Sequence, residues 1–325
     1  MNTPHVVVGM SGGVDSSVAA YLLKEQGYRV SGLFMVNWSE DEEGYCSAAE
    51  DFQDARAVCA ELDIPLHRVD FSREYRERVF AHFLADYAAG KTPNPDVLCN
   101  REIKFQPFRE HALRLGADFV ATGHYARITH SPDGVHLLRA VDGNKDQTYF
   151  LSAVSYEQLD RVLFPIGELS KPEVRVLAQR AGLPNHRKKD STGICFIGER
   201  PFQAFLAQYL APNPGPIVDD AGILMGEHQG LMYYTLGQRR GLHIGGRKGA
   251  REAPWYVVAK NANENALVVS QQEDHPLLMS TVIDSGPFQW INRHGTPADG
   301  PLMARIRHRQ PLEPFHIATV DKNNV

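Results

Sequence analysis

Several features that would place a chain in a broad class are scarce here. Only four cysteines occur in 325 residues, too few for a disulfide framework, which predicts a reducing, cytoplasmic location. No run of about 18 or more apolar residues is present, so no membrane span is expected. The segment MNTPHVVVG lacks the pattern of a secretory signal. The formal net charge of −5 excludes a uniformly basic nucleic-acid binder, although a local basic face stays open.

The chain is 43% hydrophobic, and its length allows about two or three domains. In the first half, β-branched strand patterns alternate with helical ones, which predicts an α/β fold with a parallel sheet. YARITHSPDGVHLLRAV indicates a hairpin, and SKPEVRVLAQRAGLP a helix with a capping box of Ser170 and Glu173. From about residue 212 onward the pattern is mostly β, with MARIRHRQ and FHIATV as strands.

The stretch VVVGMSGGVDSS predicts a strand, a Gly/Ser loop and the start of a helix. An ordinary P-loop carries a lysine for the β- and γ-phosphates, and this loop has none. Its backbone N–H groups and serines suit an anion. Asp15 would hold Mg²⁺ or cap the turn, and both readings stay open. The string SGGVDSS resembles the PP-loop of ATP pyrophosphatases, which split ATP between its α- and β-phosphates.

Two loop cysteines stand out beside this loop. In TPNPDVLCN, Asp96 and Cys99 are three positions apart, so one helical turn would put both on one face. A thiolate nucleophile beside a carboxylate acting as acid/base is then available. In KKDSTGICFIGER, Cys195 follows a polar turn. Two loop thiols with an ATP-cleaving site indicate sulfur chemistry, whereas Cys59, on an apolar helix stripe, is expected in the core.

Eight motifs, in order along nearly the whole chain, resemble those of the bacterial tRNA-specific 2-thiouridylase family. They are GMSGGVDSS, GLFMVNW, TPNPDVLCN, IKF, ATGHYAR, NKDQTYFL, KKDSTGICFIGER and GEHQGLMYYTLGQRRGL. The resemblance implies that ATP adenylates the C2 oxygen of wobble uridine 34, and that sulfur then displaces AMP to give 2-thiouridine. Cys195 would carry a persulfide, Cys99 would form a disulfide with it, and Asp96 would be the acid/base. Whether the persulfide attacks directly or sulfide is released first stays open.

The same resemblance assigns the binding residues. The ATP and Mg²⁺ site would comprise Gly9, Met10, Ser11, Gly12, Gly13, Val14, Asp15, Ser16, Met35 and Gly123. The tRNA contacts would comprise Asn94, Pro95, Asp96, His124, Lys145, Asp146, Gln147, Arg307 and His308. The family has an aromatic residue at the last of these positions, so His308 would weaken a stacking contact. No metal-ligand cluster is predicted within the protein itself.

The resemblance also implies a domain plan. Residues 1–200 would form a PP-loop (adenine nucleotide alpha hydrolase-like) catalytic domain with a tRNA-contacting insertion around 145–170. Residues 201–270 would form a small, mostly β central domain. Residues 271–325 would form a C-terminal β-barrel that looks truncated. The expected partners are the glutamate, glutamine and lysine tRNAs and a sulfur-relay donor protein or cysteine desulfurase, with no membrane and a monomeric chain.

Because the chain is acidic, tRNA binding requires local basic patches. The candidate clusters are Arg187–Lys189, Arg239–Arg240 with Arg247–Lys248, and the alternating Arg305, Arg307 and Arg309. Two rival readings stay open. One is another PP-loop enzyme such as an amidating synthetase, which would give no reason for two loop cysteines. The other is a catalytically impaired tRNA-binding protein with redox-responsive cysteines.

Overall fold

The computed structural model describes residues 3–38, 48–132, 134–190, 201–244, 253–285, 289–291, 301–307 and 310–318. The chain divides into two compact units. Unit 1 combines Met1–Val79, Pro95–Gly198 and Gly286–Val325, and unit 2 combines Phe80–Asn94 and Glu199–Ser285. Across the described ranges, no helix has both the length and the apolar character that crossing a membrane requires.

The elements are numbered along the chain. The described strands are β1 (His5–Met10), β2 (Arg29–Val36), β3 (Leu66–Asp70), β4 (Phe119–Ala121), β5 (Ala126–Ser131), β6 (Gly134–Arg139), β7 (Val162–Leu163), β8 (Gly215–Asp219), β9 (Leu224–His228), β10 (Tyr256–Asn261), β11 (Ala266–Ser270), β12 (Leu302–Ala304) and β13 (Glu313–Phe315). The described α-helices are α1 (Val14–Glu25), α2 (Ala48–Glu61), α3 (Ser72–Tyr75), α4 (Ala81–Ala88), α5 (Pro95–Cys99), α6 (Arg109–Arg114), α7 (Tyr156–Leu159), α8 (Lys171–Arg180) and α9 (Phe202–Leu206).

A parallel sheet forms the centre of unit 1, which confirms the predicted α/β class. Its order is β3-β2-β1-β4-β7, and every neighbouring pair is parallel. Val6 and Val8 of β1 join the core that α1, α2 and α8 build on one face. Val7 is also fully buried and points to the other face, since side chains alternate along a strand. Burial on both faces explains the unbroken valine run.

The sequence REYRERVFAHFLADYAAG has a helical pattern, but residues 73–90 do not form one regular helix. α3 leads into a wider π-helical turn at Arg76–Phe80, which is followed by α4. A second π-helical segment, Asn100–Phe108, joins α5 to α6. It contains Pro107, and the backbone at Phe105 is not helical. Periodicity alone predicted the helical residues here but not these changes of pitch, because π turns depend on packing around them.

Two hairpins complete the described part of unit 1. β5 and β6 pair antiparallel, which confirms the predicted hairpin. β12 and β13 also pair, but the strand predicted over MARIRHRQ ends at Ala304, and FHIATV contributes only its first residue to β13. Arg305 and Arg307 therefore follow the strand, and the expectation that strand alternation would present them on one face was wrong. Arg309 lies outside the described residues.

Unit 2 contains a four-stranded sheet with the order β10-β11-β8-β9. The segment WYVVAKNANENALVVSQ contains the antiparallel pair β10–β11, which agrees with the mostly β pattern predicted from about residue 212 onward. Unit 2 also contains an aromatic cluster on and next to α4 and α9. Its ring contacts link Phe80, Phe83, Phe205 and Tyr209.

Candidate active site

The Gly/Ser loop lies where β1 ends and α1 begins, at the carboxyl edge of the parallel sheet. Gly12 has φ +76°, and the backbone of Asp51 in α2 occupies the space that a Cβ at Gly12 would need. Glycine is therefore required at this position for two independent reasons. The N-cap of α1 is Gly13, which has no side chain to cap the first N–H groups. Those donors suit an anionic ligand.

Hydroxyl and amide groups hold the loop in shape. Ser16 Oγ donates to Gly13 O at 3.0 Å, and Ser17 Oγ donates to the same carbonyl at 2.8 Å. Asn185 Nδ2 donates to Gly12 O and Ser17 Oγ, both at 2.9 Å. Asn185 is buried and lies 168 positions from Ser17, so sequence reasoning had no spacing signal by which to find it.

Asp15 is the centre of a charged cluster. Its Oδ1 accepts hydrogen bonds from Tyr125 Oη at 2.9 Å and from Lys171 Nζ at 2.7 Å. Lys171 Nζ also lies 2.7 Å from Asp190 Oδ1. Burial, together with the neighbouring Asp15 carboxylate, raises the pKa of Tyr125, so its hydroxyl stays a proton donor. The sequence did not reveal these two partners of the Asp15 carboxylate, and the choice between a Mg²⁺ role and a turn-fixing role stays a prediction.

Asp190 anchors the other side of this cluster. Lys145 Nζ contacts Asp190 Oδ2 at 2.7 Å, and Arg175 Nη2 contacts Asp190 Oδ1 at 2.7 Å. Burial pushes the pKa of Asp190 up, but the hydrogen bonds from Lys145 and Lys171 outweigh burial and bring that pKa down to about 2. Three cations and the carboxylates of Asp15 and Asp190 therefore form one connected group beside the loop.

The other predicted nucleotide residues line the same edge. A Cβ on Gly123 would lie 2.6 Å from Ser16 N and 2.7 Å from the Asp15 carbonyl carbon, so Gly123 packs directly on the start of α1. Met35 is half-buried near the end of β2, and β2 pairs with β1. The loop, Gly123 and Met35 thus all belong to the carboxyl ends of neighbouring strands. Parallel α/β sheets bind ligands at that edge.

Asp96 and Cys99 lie on the single turn of α5, as their spacing predicts. Asp96 is half-buried, and only 1% of Cys99 is exposed. Asn100, which follows directly, donates from Nδ2 to Phe150 O at 3.0 Å. Burial raises the pKa of Tyr149, and the charge of Asp96 adds to that rise. The turn of α5 is therefore close enough to Tyr149 for electrostatic interaction.

His124 is buried rather than displayed. Its Nδ1 is 2.7 Å from Thr122 Oγ1, and its ring contacts those of Phe105 and Phe164. Burial, with a smaller effect from Lys104, lowers the pKa of His124 well below its ordinary value, so the imidazole is neutral at pH 7. Its predicted contact with tRNA stays a prediction.

The predicted tRNA residues Lys145, Asp146 and Gln147 make internal contacts. The Lys145 ion pair is described above, and Gln147 Oε1 accepts from Tyr125 N at 2.9 Å. Asp146 is only 1% exposed and pairs with Arg305 at 3.1 Å. Arg305, one of the three alternating arginines proposed to bind tRNA, is therefore paired with a carboxylate of the protein itself. Asn94 and Arg307 are exposed, Pro95 is buried, and His308 lies outside the described residues.

The basic cluster 187–189 is split. Lys188 Nζ contacts Asp51 Oδ1 at 2.6 Å and Asp54 Oδ2 at 2.5 Å, so its charge is matched within the protein. Arg187 and Lys189 are exposed, as are Arg239 and Arg240 of unit 2. Residues 247–248 lie outside the described residues. Among the described residues of these two clusters, the exposed side chains that could contact an RNA backbone are Arg187, Lys189, Arg239 and Arg240.

The cysteines differ in their surroundings. Cys59 is buried in the core of unit 1, and burial raises its pKa to about 11, which confirms its predicted place in the core. Cys46 and Cys195 lie outside the described residues. The distance between Cys99 and Cys195, which are 96 positions apart in the sequence, is therefore not described. The Cys99–Cys195 pairing stays a prediction.

Two family models match the chain in succession. The model described as "tRNA methyl transferase HUP domain" matches residues 4–199, and the one described as "tRNA methyl transferase PRC-barrel domain" matches residues 203–271. The first match alone covers more than half of the chain. Its range includes the Gly/Ser loop, α5 and the charged cluster around Asp15 and Asp190.

Three relatives named "tRNA-specific 2-thiouridylase MnmA" are similar over nearly the full length. The Alcanivorax borkumensis protein is 59% identical over 94% of this chain and 84% of the relative. The Serratia proteamaculans protein is 56% identical over 98% of this chain and 88% of the relative. The Nitrosomonas eutropha protein is 55% identical over 100% of this chain and 90% of the relative. Identity at this level across both units far exceeds a match confined to one motif.

Proposed function

The chain belongs to the tRNA-specific 2-thiouridylase family, and from that premise we propose that it converts a tRNA uridine to 2-thiouridine with ATP as the activating substrate. The observation that supports this most is identity of 54–59% over almost the whole chain. The site is consistent with it, because a Gly/Ser loop for phosphate and a cysteine-bearing turn belong to the same unit. The proposed target is wobble uridine 34 of the glutamate, glutamine and lysine tRNAs.

Activation comes first in this mechanism. The uridine O2 forms a bond to the α-phosphorus of ATP, and the bond from that phosphorus to pyrophosphate breaks. The poor carbonyl leaving group thereby becomes AMP. The residues from Gly9 to Ser16 would hold ATP, Met35 would contact the adenine side, and Gly123 would close on the nucleotide. If Mg²⁺ binds at Asp15, the carboxylate would supply one oxygen ligand, and phosphate oxygens and water would be among the others.

Sulfur transfer follows. A donor protein or cysteine desulfurase would deliver sulfur to Cys195 as a persulfide, and the terminal sulfur would attack C2 of the uridine. AMP leaves, the S–S bond of the persulfide breaks, and the Cys99 thiolate closes a disulfide with Cys195, which an external thiol must then reduce. In the alternative order, Cys99 first releases sulfide, which attacks C2. Asp96 would transfer the proton in either order.

One assay tests the proposal against its rivals. The chain is incubated with ATP, Mg²⁺, a sulfide source and unmodified tRNA, and the digested nucleosides are separated. The expected products are 2-thiouridine, AMP and pyrophosphate. AMP without 2-thiouridine would favour an amidating enzyme, and tRNA binding without AMP would favour a binding protein. A methylated nucleoside, formed when a methyl donor is added, would support the methyl transferase description carried by the family models. Any of these three results would overturn the proposal.

A further inference from the structure

Lys171 brings a cation to the first turn of α1, beside a loop that has no lysine of its own. Its Nζ lies 2.7 Å from Asp15 Oδ1 and 2.7 Å from Asp190 Oδ1. Only 12% of the side chain is exposed. A surface lysine samples many rotamers in water, whereas this one is held from two directions by carboxylates that lie far apart in sequence.

The backbone of Lys171 is fixed independently of Asp15. Lys171 is the first residue of α8, and the capping box of Ser170 and Glu173 closes the start of that helix, as predicted. Lys171 N donates to Asp142 Oδ2 at 3.0 Å. Val174 and Ala178 of α8 are buried in the core that α1 shares. The ammonium group can therefore change partners without moving the helix that carries it.

The ion pairs around Lys171 contain more cations than carboxylates. Asp15 and Asp190 pair with three cations, Lys145, Lys171 and Arg175, while Asp142 accepts from the backbone N–H of Lys171. If the Asp15 carboxylate binds Mg²⁺, it no longer neutralises Lys171. The cluster then attracts an additional negative group. An ammonium group has three donors, so Lys171 can keep Asp190 and turn another donor to a phosphate oxygen.

We propose that Lys171 supplies the phosphate-contacting cation that the Gly/Ser loop lacks, and that it acts on the β- and γ-phosphates of ATP. This inference rests on the proposed function, cleavage of ATP between its α- and β-phosphates. When the α-phosphorus bonds to the uridine oxygen, the electron pair of the breaking P–O bond leaves with pyrophosphate. Lys171 stabilises that growing negative charge, while Asp190 keeps the ammonium group in place.

The alternative is that Lys171 is only a structural counter-ion for Asp15 and Asp190. The two roles differ in which ligands they affect. A structural role would change stability and would affect every nucleotide alike. A contact with the β- and γ-phosphates affects ATP and pyrophosphate but not AMP, because AMP lacks those groups.

The experiment compares Lys171→Met with the wild-type chain by calorimetric titration of ATP, pyrophosphate and AMP, each with Mg²⁺. A charge-assisted hydrogen bond is strong enough that its loss should weaken ATP and pyrophosphate binding by about tenfold or more, with AMP affinity within about twofold. Lys171→Arg, which keeps the charge, should recover most of the affinity for ATP. The matched control is Lys24→Met, because Lys24 is another lysine of unit 1 that is held by an internal acceptor, the carbonyl of Leu62.

Each outcome decides the inference. Selective loss for ATP and pyrophosphate in Lys171→Met, absent in Lys24→Met, supports it. Unchanged ATP affinity, or equal loss for ATP and AMP, overturns it, and melting temperatures of all variants identify a loss that comes from unfolding. If the wild-type chain binds ATP and makes 2-thiouridine while Lys171→Met binds ATP normally, only this inference fails. If the wild-type chain does not bind ATP, the proposed function fails together with it.

Discussion

At the scale of single residues, the burial of Cys99 has the largest consequence for the proposed chemistry. With 1% of its surface exposed, the thiol has almost no contact with bulk water, so any reaction at this sulfur takes place in a shielded environment. It ends α5 and leads directly into the π-helical segment Asn100–Phe108, whose backbone is irregular at Phe105. π-helical turns of this kind are frequent at functional sites. The proposed disulfide step would therefore take place where a short helix passes into an irregular segment.

Replacing either proposed cysteine should separate the two half-reactions. Cys99→Ser and Cys195→Ser should each abolish 2-thiouridine formation, since a hydroxyl neither carries nor releases the sulfur. ATP affinity should stay within about twofold, because the loop does not use the thiols. Nucleoside analysis and nucleotide titration measure the two effects. Cys59→Ala is the matched control, since Cys59 is a buried core thiol with a raised pKa of about 11 and should retain thiolation. Near-normal thiolation by either serine variant would contradict the two-thiol mechanism.

The charge of Asp190 should leave a signature in the dependence of stability on pH. Its folded-state pKa of about 2 lies below the ordinary 3.8. The charged form therefore stabilises the fold at pH values above about 4, and this contribution is lost as pH falls towards 2. Asp190→Asn should be less stable than wild type at pH 5, and the difference should shrink between pH 4 and pH 2. Urea unfolding at several pH values measures this.

An exposed carboxylate provides the comparison. Glu25 lies on the surface of α1, and Glu25→Gln should unfold like wild type at pH 5. If Asp190→Asn lowers the free energy of unfolding by the same amount at pH 5 and pH 3, the loss of stability does not come from the ionised carboxylate of Asp190, and the prediction is contradicted.

At the scale of elements, the junction of β1, loop and α1 carries two separate constraints at Gly12. An alanine there would have to adopt φ +76°, which costs about 1–2 kcal/mol. It would also collide with the backbone of Asp51, which adds about 1–3 kcal/mol of overpacking. We expect Gly12→Ala to lower the free energy of unfolding by the sum of the two and to weaken ATP binding.

Gly27 isolates the first of these constraints. It has φ +84°, and nothing lies within 4 Å of the Cβ position, so Gly27→Ala should lose only the conformational part, about 1–2 kcal/mol. Urea unfolding of both variants gives the comparison. Equal losses for Gly12→Ala and Gly27→Ala would show that α2 yields to the added methyl group.

The elements that sequence reasoning predicted are those whose signals are local. Ser170 and Glu173 close a capping box three positions apart, the sequence between β5 and β6 reads Pro-Asp-Gly, and the valines of β1 form an unbroken run. The predicted strand through Arg305 was wrong, because an alternating pattern does not show where pairing with another strand ends. The sequence also did not reveal the π-helical turns, because their pitch depends on the residues that pack against them.

At the scale of the whole molecule, the candidate site depends on contacts between distant parts of the sequence. Lys171 and Asp15 are 156 positions apart, and Asn185 and Gly12 are 173 apart. The loop motif identified Asp15, but no spacing rule joins it to a lysine whose local signal is a helix start. The motifs could therefore predict the kind of chemistry, whereas the partners of each group required the fold.

The division into two units predicts where ATP should change protection from hydrogen exchange. A ligand that binds only the folded form of one unit stabilises that unit by mass action, by about 2.7 kcal/mol at 100 times its dissociation constant. With ATP and Mg²⁺, amides of β1, α1 and β4 that exchange through unfolding of unit 1 should slow by up to about 100-fold. Amides of β8 to β11 in unit 2 should change little, and peptide-resolved exchange followed by mass spectrometry reads both in one sample. Lys171→Met at the same ATP concentration should lose part of the protection in unit 1 and leave the rates in unit 2 as they were. Equal protection of both units in the wild-type chain would contradict this prediction, because it would mean that they unfold as one cooperative body.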